Sequence, residues 1–158
     1  MPPLAFAALT AWCTALTMHD VRERRLPNTL TGPGALAILG YALITRQFTV
    51  AALGGALLSA VYLLMHLTAP TALGAGDVKL SAGLGAAAAL GGAQAWVWAA
   101  LGAPALTAGV AVVALVARRV VTPTSAHRSR ERIIVPHGPA MCLATLLALL
   151  SSSIPGAG

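Results

Sequence analysis

Acidic side chains are scarce in this sequence, and two of them occupy positions where a charge is unusual. Only four of the 158 residues are acidic. Asp20 lies at the end of one long apolar segment, and Asp77 lies at the start of another, directly after Gly74-Ala75-Gly76. Ionisable groups in or beside apolar segments of this length are costly to place, and they indicate a functional site by default.

Two aspartates brought together from distant parts of a chain can hydrolyse a peptide bond. Carboxyl groups held a few ångströms apart cannot both ionise cheaply, so the pair retains one proton. The ionised member takes a proton from water as the water attacks the carbonyl carbon. Its protonated partner polarises the carbonyl and later helps to protonate the leaving amine. This chemistry needs no metal and no cofactor, and the sequence predicts none.

Each aspartate also has a simpler structural interpretation. Asp77 could cap the helix that follows it by accepting backbone N–H bonds, and Asp20 could pair with Arg24 one turn further on. Other catalytic schemes have less support, since the chain contains neither a GxSxG nor an HExxH motif. The four histidines have no metal-ligand spacing, and Cys13 and Cys142 have no CxxC partner, so we expect neither zinc nor a disulfide framework.

The composition indicates that lipid surrounds the elements that carry these residues. Apolar residues make up 58% of the chain and charged residues 9%, with a mean hydropathy of +0.82, whereas a globular domain has about 25% charged residues. A bilayer core about 30 Å thick requires about 20 apolar residues per helix, and backbone polar groups in lipid must pair within the element. The sequence therefore predicts an all-α, polytopic membrane protein with six transmembrane helices in one domain, 1–158. The spans are predicted near 4–19, 30–45, 49–67, 78–91, 94–118 and 137–151.

The basic residues predict the orientation of these spans. Lys and Arg near span ends are retained on the cytoplasmic side, and the net charge of +6 is better explained by this rule than by binding to nucleic acid. With six spans, the two termini and Arg46 lie outside, and Asp20 and Asp77 lie at the cytoplasmic boundary. The basic residues on the cytoplasmic side are Arg22, Arg24, Arg25, Lys79, Arg118, Arg119, Arg128, Arg130 and Arg132.

Small residues predict where helices pack closely. Gly83, Ala87 and Gly91 repeat at intervals of four along the fourth predicted helix, which would let a neighbouring backbone approach one face. Gly55 and Ser59 form a weaker version of this pattern in the third helix.

Three motifs occur in order along the chain. Asp20 is followed by Leu26-Pro27-Asn28, then comes Gly74-Ala75-Gly76-Asp77-Val78-Lys79-Leu80, and finally Pro136-His137-Gly138-Pro139. Together with six spans, this set resembles the type IV prepilin peptidases, which are GxGD-type aspartic proteases of bacterial and archaeal membranes. The resemblance covers essentially the whole chain, and the chain is similar to the short form of these enzymes.

The resemblance implies a membrane aspartic endopeptidase, with Asp20 and Asp77 as the catalytic pair. Its implied partners are the lipid bilayer and prepilins or pseudopilins, whose basic leader peptides it would remove at the cytoplasmic face of the cell membrane in a pilus or secretion system. Gly74 and Gly76 would allow the approach to Asp77 to bend through conformations closed to other residues. The residues that match supporting positions of the motifs are Pro27, Asn28, Gly74, Gly76, Lys79 and Gly138.

Two departures from the family pattern and two rival functions complete the prediction. The sequence lacks the paired CxxC motifs of longer members, so methyltransferase activity and zinc are not expected, and His137 replaces an apolar or aromatic residue of the third motif. The same acids could instead relay protons in a small proton-coupled transporter. The chain could also be a non-catalytic scaffold of a pilus or secretion machine, in which case both aspartates would tolerate replacement by Asn.

Overall fold

The computed structural model describes residues 1–23, 26–70, 73–121 and 137–153, with side chains excluded at 118–121. Within these ranges the chain forms six α-helices, as the apolar segments predict. The predicted loop at 119–136 and the arginines at 24, 25, 128, 130 and 132 fall mainly or wholly outside the described residues. The helices are α1 Pro3–Glu23, α2 Asn28–Ile44, α3 Phe48–Thr68, α4 Ala75–Leu90, α5 Ala93–Val121 and α6 Gly138–Ser152.

The helix bounds agree with the predicted spans to within a few residues, with one difference that matters. α1 continues to Glu23, so Asp20 lies in the last turn of the helix instead of after it. The segment from Asp20 to Glu23 contains neither Gly nor Pro, and charged side chains can reach water from the end of an apolar helix without interrupting it. α4 likewise begins before Asp77.

Three of the helices are long and apolar enough to cross a bilayer. These are Pro3–Glu23, Phe48–Thr68 and the Ala93–Ala117 part of α5. α2 and α6 are shorter apolar helices, and the 16 residues of α4 extend only about 24 Å at 1.5 Å per residue. Many large apolar side chains on the outer surface are exposed, such as Leu4, Ile44 and Val113, as expected of a protein surrounded by lipid.

α4 is the central helix of the bundle. Its residues Gly83–Ala89 are all buried, and it packs against α2, α3, α5 and α6. A run of small residues allows this, because a helix with thin side chains can be approached by neighbours from every side. Asp77 lies at the beginning of this central helix, so its carboxyl group is placed among the surrounding helices.

The small residues of α4 do not form the single packing face that their spacing predicts. A Cβ added at Gly83 would contact Trp12 of α1 and Ala35 of α2, while one added at Gly91 would contact Leu149 of α6. Gly85, which is not part of this spacing, lies close to α3, where an added Cβ would be 2.7 Å from the Gly54 carbonyl oxygen. The one-face prediction is wrong because a helix enclosed on all sides needs small residues on all of them.

The α3 part of the small-residue prediction is confirmed. A Cβ at Gly55 would lie 2.6 Å from the Ala82 carbonyl oxygen of α4, and the Ser81 hydroxyl donates to the Ser59 hydroxyl at 3.3 Å. Two indoles also join helices through backbone carbonyl groups, since Trp12 Nε1 donates to the Leu30 carbonyl oxygen at 2.9 Å and Trp96 Nε1 donates to that of Gly54 at 3.0 Å.

Consecutive helices run in opposite directions, which gives the bundle two distinct ends. At one end the last turn of α1 meets the start of α6, where the Gly138 N–H donates to Asp20. At the other end the Gly91 turn after α4 packs against Leu149 near the end of α6. Both aspartates lie at the first end, which we call the carboxyl end, and Arg46 lies in the α2–α3 turn at the other.

Candidate active site

Asp20 is a buried carboxyl group in the last turn of α1. Its side chain is 8% exposed, and its Oδ2 accepts a hydrogen bond of 3.2 Å from the backbone N–H of Gly138. Gly138 is the first residue of α6, where backbone N–H groups have no partner within the helix and the helix dipole favours negative charge. The start of α6 therefore supplies the polar contact that a buried carboxylate requires.

Asp77 is held in a similar way by its own helix. It is 9% exposed and lies at the third position of α4, where its Oδ2 accepts a hydrogen bond of 3.0 Å from the Gly74 N–H. The Asp77 N–H in turn donates to the Gly74 carbonyl oxygen at 3.0 Å. Asp77 thus stabilises the start of the helix from its third position, while Gly74 occupies the N-cap position.

The two carboxyl groups lie at the same end of the bundle, the carboxyl end. They come from residues 57 positions apart (77 − 20) on two different helices. Each accepts a hydrogen bond from a glycine N–H at the beginning of a helix. The site therefore contains two buried acids with matched backbone donors.

The three glycines of the site provide space, and their backbone is ordinary. Gly74 has φ −76°, and Gly92 is the only glycine with positive φ in the part of the chain that the structure describes. The prediction of conformations closed to other residues at Gly74 and Gly76 is therefore wrong. An added Cβ at Gly74 would lie 3.3 Å from Asp77 Oδ2, one at Gly76 would lie 3.1 Å from the Leu26 Cβ, and one at Gly138 would lie 2.6 Å from Asp20 Oδ2.

The Pro-Asn motif joins α2 to α4 beside the carboxyl pair. Pro27 is the N-cap residue of α2, and its carbonyl oxygen accepts the N–H groups of Leu30 and Thr31. The side chain of Asn28 accepts a hydrogen bond of 2.9 Å from Lys79 Nζ, which belongs to the second turn of α4. Both partners are exposed, so this bond links the helices at the surface of the carboxyl end.

α3 contributes a tyrosine and a histidine that motif analysis did not select. Tyr62 and His66 are four residues apart, hence on one face of the helix, and His66 lies in the last turn of α3. His66 Nδ1 is 2.7 Å from the Leu73 carbonyl oxygen. A carbonyl only accepts, so Nδ1 carries the proton and donates. His66 thereby anchors the residue that precedes Gly74.

His137 lies at the centre of a second hydrogen-bonded group. Its Nε2 is 3.1 Å from the Tyr62 hydroxyl and its Nδ1 is 2.6 Å from Thr107 Oγ1. Thr107 Oγ1 also donates to the Ala103 carbonyl at 3.0 Å. With its single proton committed there, the Thr107 hydroxyl accepts from Nδ1–H, and Nε2 accepts from Tyr62. The ring thus joins the start of α6 to α3 and α5.

One signal in the sequence could have identified these residues. Polar side chains inside an apolar span indicate function or a satisfied polar network, and Tyr62, His66 and Thr107 all stand in apolar helices. Their convergence depends on how α3, α5 and α6 pack. Cys13 and Cys142 are likewise both free and buried, and they belong to α1 and α6, two helices that pack against each other despite their separation in sequence.

The fold and the site define an all-helical protein with three helices that are long and apolar enough to cross a bilayer and with a buried pair of carboxyl groups at one end. In a comparison with known protein families, residues 7–117 match the type IV leader peptidase family. The chain belongs to this family, which is a family of membrane proteases. No curated protein and no solved structure matches the chain significantly. The matched region includes both Asp20 and Asp77 and ends before α6.

Proposed function

We propose that this protein is an aspartic endopeptidase of the cell membrane that removes the basic leader peptide of prepilins or pseudopilins. The observation that carries the proposal is that Asp20 and Asp77, both buried, lie at the same end of the helix bundle and each accept a hydrogen bond from a glycine N–H. Membership of the leader peptidase family supports the substrate class. All six helices would span or line the membrane as one domain, with α4 enclosed by the others.

The reaction we propose uses a water molecule between the two carboxyl groups. The ionised aspartate takes a proton from this water as the oxygen attacks the scissile carbonyl carbon, and the protonated aspartate donates to the carbonyl oxygen. As the tetrahedral intermediate collapses, the C–N bond breaks and the nitrogen receives a proton from the pair. The glycine N–H groups of the two helix starts hold each carboxyl in place, which favours attack by limiting the geometries available.

Placement of the site on the cytoplasmic side is supported by charge. Arg22 at the end of α1 and Lys79 near the start of α4 lie at the carboxyl end, whereas Arg46 lies at the other end. Basic residues at span ends are retained in the cytoplasm. A leader peptide that is basic and precedes a membrane helix would present its scissile bond at this same boundary.

The proposal is tested by expressing the protein together with a prepilin and following the shift of the pilin to its mature size. We expect Asp20→Asn and Asp77→Asn to lower processing at least about 10³-fold, since an amide can neither accept the proton nor donate in the acid's place. Glu23→Gln is the matched control, because it removes an exposed acid from the same turn of α1. Processing by either Asn variant at the rate of Glu23→Gln would contradict the proposal.

A further inference from the structure

His137 is half-buried among three helices, and the hydrogen bonds of its ring go to neither aspartate but to two other helices. Its two ring nitrogens are bonded to Tyr62 of α3 and Thr107 of α5, and its ring packs against that of Tyr62 with a centroid distance of 5.6 Å. Tyr62 is 3% exposed. The ring is therefore fixed from two sides by side chains that belong to separate helices.

The next residue along the chain is the one that contacts Asp20. Gly138 follows His137, begins α6, and donates its N–H to Asp20 Oδ2. The His137 carbonyl oxygen also accepts the Met141 N–H at 3.1 Å, in the first turn of α6. Fixing the His137 ring thus fixes the position and direction of the first peptide groups of α6, including the N–H that reaches Asp20.

Small displacements at this point have large consequences. The Gly138 Cα is so close to Asp20 that even a methyl group there would lie 2.6 Å from Oδ2. A shift of the α6 start toward α1 would therefore push the carboxyl, and a shift away would break the hydrogen bond. Misplacement of a catalytic group by about 1 Å can lower a rate about a hundredfold.

We propose that His137 is a positioning residue which, through its bonds to Tyr62 and Thr107, holds the Gly138 amide against the Asp20 carboxyl. This inference rests on the proposed function of Asp20. It assigns a role in the reaction to a residue that departs from the family motif, and it extends the site to α5. The same network connects the start of α6 to α3, the helix to which Tyr62 belongs.

The test is steady-state cleavage of a prepilin by the purified full-length protein in lipid vesicles, with kcat and KM measured separately. His137→Phe keeps a flat ring of similar size but makes no hydrogen bond. We expect its kcat to fall roughly tenfold to a hundredfold, with KM changed by less than about twofold, because the network positions Asp20 without binding substrate.

Two further single variants keep the test decisive if His137→Phe does not fold. Tyr62→Phe and Thr107→Val each remove one bond to the ring, and we expect each to lower kcat by about threefold to tenfold. Tyr41→Phe and Thr10→Val are the matched controls, since Tyr41 belongs to α2 and the Thr10 hydroxyl makes the same bond to the carbonyl four residues back, at 2.8 Å. Both controls should retain wild-type kcat.

The double variant that combines His137→Phe with Thr107→Val distinguishes a joint role of the three side chains from independent effects of each. If the three side chains act as one unit, adding Thr107→Val to His137→Phe lowers kcat no further. Wild-type kcat in His137→Phe or Thr107→Val would overturn the inference, as would a change in KM alone or a full multiplication of the two effects. Failure of the proposed function has a different signature, which is cleavage by Asp20→Asn.

Discussion

The site has an Asp77 half and an Asp20 half, and in each the aspartate accepts a hydrogen bond from a glycine N–H. The two glycines lie at very different distances from their aspartates along the chain. Asp77 accepts from Gly74, three residues before it, whereas Asp20 accepts from Gly138, which is 118 residues away. The first contact forms whenever α4 forms its first turn. The second exists only when α1 and α6 are packed together.

This difference shows that the two acids depend on different parts of the molecule. The Asp77 half is a local helix start, anchored from α3 through His66 and Leu73. The Asp20 half is a junction of helices, anchored through His137 to α3 and α5. α3 serves both, since Tyr62 and His66 lie on one face of it. Changes in α5 should therefore disturb Asp20 selectively.

The largest difference between the halves should appear on replacing the two glycines by alanine. A Cβ at Gly138 would overlap the Asp20 carboxyl at 2.6 Å, whereas one at Gly74 would lie 3.3 Å from Asp77 Oδ2. We expect Gly138→Ala to lower kcat about a hundredfold through displacement of Asp20, and Gly74→Ala to lower it less than about tenfold. Cleavage kinetics of the two variants give the answer directly. Equal losses of kcat would mean that the two halves tolerate an added methyl group equally well.

A smaller effect is expected from the histidine that anchors the Asp77 half. His66→Phe removes the donor to the Leu73 carbonyl, and one lost hydrogen bond of about 1 kcal/mol corresponds to roughly a fivefold fall in kcat. His66→Asn is the sharper control, since its amide N–H can replace Nδ1–H. We expect His66→Asn to retain more activity than His66→Phe. If both are equally impaired, the ring has a role other than anchoring Leu73.

The smallest effect should come from the surface bond between α2 and α4. Lys79 Nζ and Asn28 Oδ1 are 2.9 Å apart and exposed, and a bond in contact with water contributes at the lower end of the usual range, about 0.5 kcal/mol. Asn28→Ala and Lys79→Ala should each lower processing by less than about threefold, and the double variant should resemble the singles. A much larger loss in Lys79→Ala alone would indicate that its charge contacts the substrate.

The helices and the two aspartates could be predicted because their signals are local. Long apolar runs in lipid must form helices, and these runs predict the bounds of all six helices to within a few residues, although α1 continues beyond its apolar run to Glu23. The spacing from Gly74 to Asp77 matches a helix start in which the third residue accepts from the cap. The error on glycine conformation arose because the motif shows only that a side chain is absent. It does not show whether the backbone angle or the space is the reason.

The sequence by itself determined that this is a membrane-embedded helical protein and that Asp20 and Asp77 are its unusual acids, since apolar length and the cost of a charge in lipid are properties of each segment alone. Only the tertiary structure decided that α4 is enclosed on all sides, that Gly138 is the donor to Asp20, and that His137 joins Tyr62 to Thr107. These contacts bring together residues from helices far apart in sequence. No local pattern encodes them, because they depend on the rotation and depth at which each helix packs.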